Sequence, residues 1–127
     1  MDEELRRDRG KEIMDRLDPD ATRNLRQSLQ DIAPDVIDFV LEFAYGDIMA
    51  REGLDLKTRE LCIIASLTAM GGCEHELRIH LKKAIHIGVT EKQIVEVLLQ
   101  QCVYCGFPRA INALIVAKEL FEQQNAT

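Results

Sequence analysis

The sequence predicts an all-α protein of about seven helices, and three observations predict it. Apolar residues recur at three- and four-residue spacing through most of the chain. No stretch alternates with a period of two. Glycine, proline and capping residues interrupt the helical runs at short intervals, which favours antiparallel neighbours in a bundle. A chain of 127 residues has room for one domain with one helical core.

The elements follow in order. Residues 3–17 carry Leu5, Ile13, Met14 and Leu17 among many charges, a weakly amphipathic helix that Asp18-Pro19 ends. It is expected to pack against another element. Asp20 or Thr22 caps a second helix through Leu25, Leu29 and Ile32, and Pro34 suits the first turn of a third. Val36, Ile37, Val40, Leu41, Phe43, Ala44 and Ile48 give that third helix a core face, with Gly53 as its stop. The fourth, led in by Leu56, is apolar almost all round from Leu61 to Met70 and so reads as buried on most sides. After Gly71-Gly72 a fifth helix starts at Cys73 or Glu74 and runs to His86. Gly88 is a stop, and Thr90 with Gln93 forms a capping box for a sixth helix, whose apolar residues run from Ile94 to Val103. Gly106-Phe107-Pro108 breaks the pattern before a last helix from Ala110 to Phe121. Residues 1–52 read as N-terminal helices that pack on a core of residues 53–122 and on neighbouring subunits, within a single domain.

Composition narrows the function classes. With 46% hydrophobic and 30% charged residues the chain is an ordinary globular one, and no apolar run reaches the length of a membrane span. A net charge of −6 without a clustered basic face argues against nucleic acid and anionic membranes, leaving small molecules or copies of itself as partners. The charged start, Met1 to Arg9, lacks the apolar segment of an export signal and implies a cytoplasmic protein. Its four cysteines then read as reduced, catalytic or buried thiols.

The chemistry concentrates in Gly71-Gly72-Cys73-Glu74-His75-Glu76-Leu77-Arg78-Ile79-His80. Cys73, Glu76 and His80 stand at i, i+3 and i+7, along one stripe of the fifth helix. His80 is the candidate proton carrier, because an imidazole moves protons near neutrality. Cys73, at a helix start where free N–H groups favour a thiolate, is either a reactive thiol or small filler after the turn. Glu76 either orients His80 or belongs to a solvated face. Cys62, Cys102 and Cys105 lie in apolar runs and read as core residues. A zinc site lacks its fourth ligand, so no metal is expected. Arg59, Arg78 and Arg109 are candidate anchors for a substrate carboxylate, which a guanidinium holds in a bidentate fork.

From about Gly53 to Phe121 the chain resembles the carboxymuconolactone decarboxylase family, which includes the alkyl hydroperoxidase D-like proteins. The resemblance is carried by Leu54-Asp55-Leu56-Lys57-Thr58-Arg59-Glu60-Leu61, by Glu76 to His80 with Ala84, by Gly88-Val89-Thr90, by Glu96 to Gln100, and by Val103-Tyr104-Cys105-Gly106-Phe107-Pro108-Arg109-Ala110. Phe43-Ala44-Tyr45-Gly46-Asp47 is similar to the longer decarboxylase-type members.

The resemblance implies an all-α fold assembled into trimer-based rings, commonly hexamers, with sites near subunit contacts. It adds Glu60 as the family's helix-borne glutamate, places Tyr104 close to the pocket and, with Cys105 at a place where alanine is common, leaves open a cross-helix redox partnership of the Cys102/Cys105 pair with Cys73 beside their reading as core residues. It implies, as the leading function, a cofactor-free lyase that removes carbon dioxide from a small carboxylated lactone of the 4-carboxymuconolactone type. The alternative is a thiol-dependent peroxidase or disulfide oxidoreductase centred on Cys73. That branch uses a Cys-x-x-Cys-x-x-x-His motif, in which Glu76 here replaces the second thiol. A third reading is a non-catalytic, ring-forming binding protein. The segment from Glu60 to His80 is one residue longer than in typical members. One residue turns a helix by about 100°, so Glu60 is expected to point away from the site unless Gly71-Gly72 takes up the insertion.

Overall fold

The structure is a computed structural model that describes residues 2–126. Among the described residues it contains helices α1 (Glu3–Leu17), α2 (Ala21–Leu29), α3 (Asp35–Phe39), a π-helical segment (Val40–Met49) continuing α3, then α4 (Leu56–Met70), α5 (Glu74–His86), α6 (Glu91–Tyr104) and α7 (Phe107–Asn125), and no strand. The all-α expectation holds. The chain divides into two compact units, Met1–Asp55 and Leu56–Thr127.

In the first unit α1 packs along the π-helical segment. The two backbones approach so closely that a Cβ on Gly10 would lie 1.8 Å from the Leu41 carbonyl oxygen, and one on Gly46 2.3 Å from that of Arg6. Glycine alone fits at both places. Around this contact Ile13, Met14, Leu17, Ile37, Leu41, Tyr45 and Met49 are buried. Arginines of α1 flank it: Arg6 donates to both Asp47 oxygens at 2.9 and 2.7 Å, Arg7 donates to Glu42 at 2.8 Å, and Arg9 to the Gly46 carbonyl at 2.9 Å. The Arg6 hydrogen bond holds the Asp47 carboxyl below its ordinary range, and the acids raise Arg6 and Arg7. The third helix departs from expectation at its end. It stops at Met49 rather than running to Gly53, because the widened π-turn closes on Ala50, whose N–H bonds to the Tyr45 carbonyl. Gly53 has no left-handed φ and does not cap it.

In the second unit α4 pairs with α5 and α6 with α7, and α7 also packs on α5 and α4. Ile64, Leu77, Leu81, Ala84, Val89, Ile94, Leu98, Ala113, Ala117 and Leu120 form the core. The Thr90–Gln93 capping box is present in both directions, and Gly88 closes α5 at φ +100. α7 is longer than expected at both ends; it starts early because Pro108 sits in its first turn, where a missing N–H costs nothing.

One expectation is corrected here. α4 is not buried on most sides: only Glu60, Ile64 and Thr68 are, at i, i+4 and i+8, while Cys62, Ser66, Ala69 and Met70 are exposed. A helix turns one stripe to its neighbours, and in α4 that stripe carries two polar residues out of three. Cys62 is accordingly exposed, and Cys102 and Cys105 are half-buried rather than core.

Candidate functional site

Glu60 lies in the first turns of α4, and His80 lies midway along α5, the helix that packs antiparallel to it. Between them the chain reverses through Gly71 and Gly72 at φ +69 and +71. Two consecutive left-handed residues are open to glycine and strained for any side chain with a Cβ. Across this turn Glu60 does not point away from His80. Its Oε2 meets His80 Nδ1 at 2.9 Å.

The environment of the pair is asymmetric. The Glu60 side chain is 0% exposed and that of His80 19%. The second carboxyl oxygen, Oε1, is buried with no hydrogen-bond partner among the described residues. The first oxygen fixes the imidazole through Nδ1 and leaves Nε2 as the working nitrogen. A carboxylate behind, an imidazole in front and partial access to solvent are the parts of a proton-transfer site.

The other candidates fall elsewhere. Cys73 is the N-cap of α5, seven residues and about 10 Å of helix rise from His80. It lines a small cleft with Leu67, Thr68, Gly71, Leu77, Arg109 and Asn112, a set that does not include His80. Within that cleft the Arg109 side chain lies across Gly71, where an added Cβ would come within 2.7 Å of Nε. Arg78 is turned to Gln123 of α7. Tyr104 is 78% exposed at the end of α6, and Glu76 is exposed one turn before His80. Arg59 is half-buried beside Glu60. Thr68 and Asn112 escaped the sequence reading, since a lone threonine in an apolar helix and an asparagine in α7 carry no local signal. No group of three or more His, Cys, Asp or Glu residues suited to a metal ion occurs among the described residues. No described helix is long and apolar enough to cross a membrane.

An all-α protein with a buried carboxylate and a histidine joined across two antiparallel helices is thus defined. The model of the carboxymuconolactone decarboxylase family matches residues 34–119, and the chain belongs to that family. The match starts at Pro34, so it takes in the third helix as well as the region after Gly53. The chain is 38% identical over 96 residues to 4-carboxymuconolactone decarboxylase of Acinetobacter baylyi, covering 76% of this chain and 71% of that one. It is 30% identical over 100 residues to an uncharacterized 15.0 kDa protein encoded in the nqo9-nqo10 intergenic region of Paracoccus denitrificans, covering 78% and 75%. It is 38% identical over 82 residues to nitrosuccinic acid decarboxylase of Metarhizium robertsii, covering 65% of this chain and 57% of that one.

Proposed function

We propose that this protein is a decarboxylase of small, multiply carboxylated acids, with His80 as its proton carrier. The observation that carries the reading is the buried Glu60 bonded to His80 Nδ1 at 2.9 Å. It supplies a held imidazole on a family background whose named relatives are decarboxylases. The two named substrates differ in skeleton but share a logic. In nitrosuccinic acid a nitro group, and in carboxymuconolactone an unsaturated lactone, can take up the electron pair that departing carbon dioxide leaves behind. The bond from carbon to carboxylate breaks heterolytically, carbon dioxide departs, and the delocalised anion then takes a proton on carbon. The carboxylate itself needs no activation, so the protein's tasks are to orient it, to stabilise the developing charge and to manage that proton.

Purified protein is expected to release carbon dioxide from 4-carboxymuconolactone or nitrosuccinate. Inactivity on both, together with turnover of a hydroperoxide with a dithiol donor, would replace this reading with the thiol-dependent one centred on Cys73.

The reading includes self-association. Phe107, Ile111 and Ile115 repeat at i, i+4 and i+8 along α7 and are 65%, 48% and 50% exposed, and Leu99 and Val103 do the same on α6 at 48% and 77%. So many large apolar side chains on two helices of one small unit support burial against another copy. Sedimentation of a 14.5 kDa monomer at micromolar concentration would remove this part of the reading.

A further inference from the structure

Cys102 and Cys105 close α6, the first in its last turn and the second as its C-cap, and all four cysteines of the chain are free thiols. We infer that this pair is a dithiol–disulfide site, separate from the Glu60–His80 pair, that a small-molecule disulfide oxidises by thiol exchange. Residues three apart on a helix face each other with Cα atoms about 5 Å apart. A disulfide bridges Cα separations of roughly 4.4–6.8 Å. The last turn of α6 keeps the helical spacing, because the Cys105 N–H bonds to the Gln101 carbonyl at 2.9 Å. Cys102 sits as a helical residue does, its thiol turned back to the Leu98 carbonyl at 4.0 Å. Cys105 does not: its φ of −127 and ψ of 3 leave the helix, and Gly106 follows at φ +90. With no further turn of α6 behind it, the Cys105 sulfur can swing to Cys102 without unwinding the helix.

Access and cost both favour closure. The two cysteines are half-buried, but Val103 and Tyr104 between them are 77% and 78% exposed, so the turn is open to a small reagent. On closing, the Cys105 sulfur gives up only the long contact from the Gln101 amide at 3.9 Å. Gln101 keeps its bond to the Ala65 carbonyl at 3.3 Å, which ties α6 to α4. Neither cysteine borders the cleft that Cys73 lines with Arg109 and Asn112, so Cys73 is not their partner. The exchange proceeds in two steps. Cys105 Sγ attacks one sulfur of the small disulfide, whose S–S bond breaks, leaving a mixed disulfide on Cys105 and releasing one small thiol. Cys102 Sγ then attacks Cys105 Sγ, forming the Cys102–Cys105 bond and releasing the second small thiol. Two protein thiols are oxidised, the small disulfide is reduced to two thiols, and the two thiol protons go to the released sulfurs. The second step is intramolecular, with the attacking sulfur already one turn away, which favours closure over a lasting mixed disulfide.

Mass spectrometry of the full chain tests this. The reduced protein is equilibrated with oxidised glutathione, quenched in acid, alkylated after unfolding and digested with trypsin. Residues 93–109 form one tryptic peptide that holds both cysteines. That peptide is expected to lose two hydrogens and both alkylation sites, in Cys62→Ser/Cys73→Ser as in the wild type, while circular dichroism shows unchanged helix content. Cys102→Ser is expected to leave glutathione trapped on Cys105. Four results overturn the inference: both thiols retained in oxidised glutathione, a lasting glutathione adduct on the wild-type pair, a disulfide from either residue to Cys62 or Cys73, or closure only as helix content is lost. Because no turnover is read, failure of the decarboxylase assay and failure of this assignment are separate results.

Discussion

Glu60 Oε2 and His80 Nδ1 stand 2.9 Å apart although twenty residues separate them and two left-handed glycines lie between. The pair joins α4 to α5 and gives His80 one defined ring orientation. Replacing His80 by Ala is expected to lower turnover by about a hundredfold or more, the usual worth of a general acid or base. Helix content should stay near wild type, but melting should fall, because the fully buried Glu60 carboxyl loses the partner it has at 2.9 Å. Cys73→Ser run in parallel separates the chemistries. Decarboxylation should tolerate it, since Cys73 lines a different cleft, whereas thiol chemistry would be lost in both variants. Full activity in His80→Ala would sink the site.

Glu60 should behave in the opposite way toward stability. A buried carboxyl with an orphaned oxygen is a cost that the fold carries, and exchanging buried ionic groups for apolar ones of similar volume is often neutral or stabilising, by about 1–4 kcal/mol. Glu60→Met is therefore expected to melt at or above the wild-type temperature while losing most turnover. Thermal unfolding followed by circular dichroism measures it. A drop of several degrees would mean that the pair serves the fold first.

How far the sequence reveals this site depends on range. The caps of α5 and α6 are local chemistry, and Gly88, Thr90 and Gln93 announced them correctly. Which face of α4 turns inward is not local: in a helix apolar almost all round, periodicity cannot say that Glu60 and Thr68 are inside and Cys62 and Met70 outside. The resemblance brings Glu60 forward as a candidate, but its meeting with His80 depends on how the Gly71-Gly72 turn joins α4 to α5. The π-helical segment was illegible for a similar reason, because its apolar spacing differs from that of an α-helix by one residue per turn. Cys73, Glu76 and His80 share one stripe of α5, yet Cys73 stands apart from His80 along the helix, because seven residues of rise outreach a side chain.

Thiol reactivity should follow exposure as well as helix position. Cys62 is exposed and Cys73 is half-buried at a helix start, whereas the Cys102 thiol points to the Leu98 carbonyl and Cys105 receives the Gln101 amide. In timed alkylation of the native protein, read by mass spectrometry, Cys62 and Cys73 are expected to label before Cys102 and Cys105. Earlier labelling of Cys102 or Cys105 would contradict this placement.

The acid side of the stability curve should report Asp47. Its hydrogen bond to Arg6 lowers the carboxyl below the ordinary value of 3.8. A group whose folded value is depressed contributes stability above its unfolded value and loses it as pH falls toward the folded one. The melting difference between wild type and Asp47→Asn should therefore be complete near neutrality and shrink below about pH 4. It should be small, because both side chains keep about a quarter of their surface in solvent, 25% and 29%. A difference that is constant across that range would point to packing and not to charge.

The Gly71-Gly72 turn gives the sharpest test of how the site is assembled, because its two glycines share one backbone conformation and differ in their surroundings. Alanine at Gly72 would meet nothing within 4 Å, so its cost is left-handed strain alone, about 1–2 kcal/mol. Alanine at Gly71 would carry the same strain and also place its Cβ 2.7 Å from Arg109 Nε, so Gly71→Ala should be the more destabilising of the two. Arg109 is a flexible, exposed side chain that can move aside, so the excess should be modest, and Arg109→Ala should remove it. Melting temperatures of the two single variants, Arg109→Ala and the Gly71→Ala/Arg109→Ala double variant form a double-mutant cycle for that contact. If the turn also sets the register of α4 against α5, Gly71→Ala should lower turnover beyond its effect on stability, because the distance from Nδ1 to Oε2 depends on where the helices are joined. Additivity in the cycle, with unchanged turnover, would show that the turn merely connects two helices whose pairing is fixed by the core around Ile64, Leu77 and Leu81.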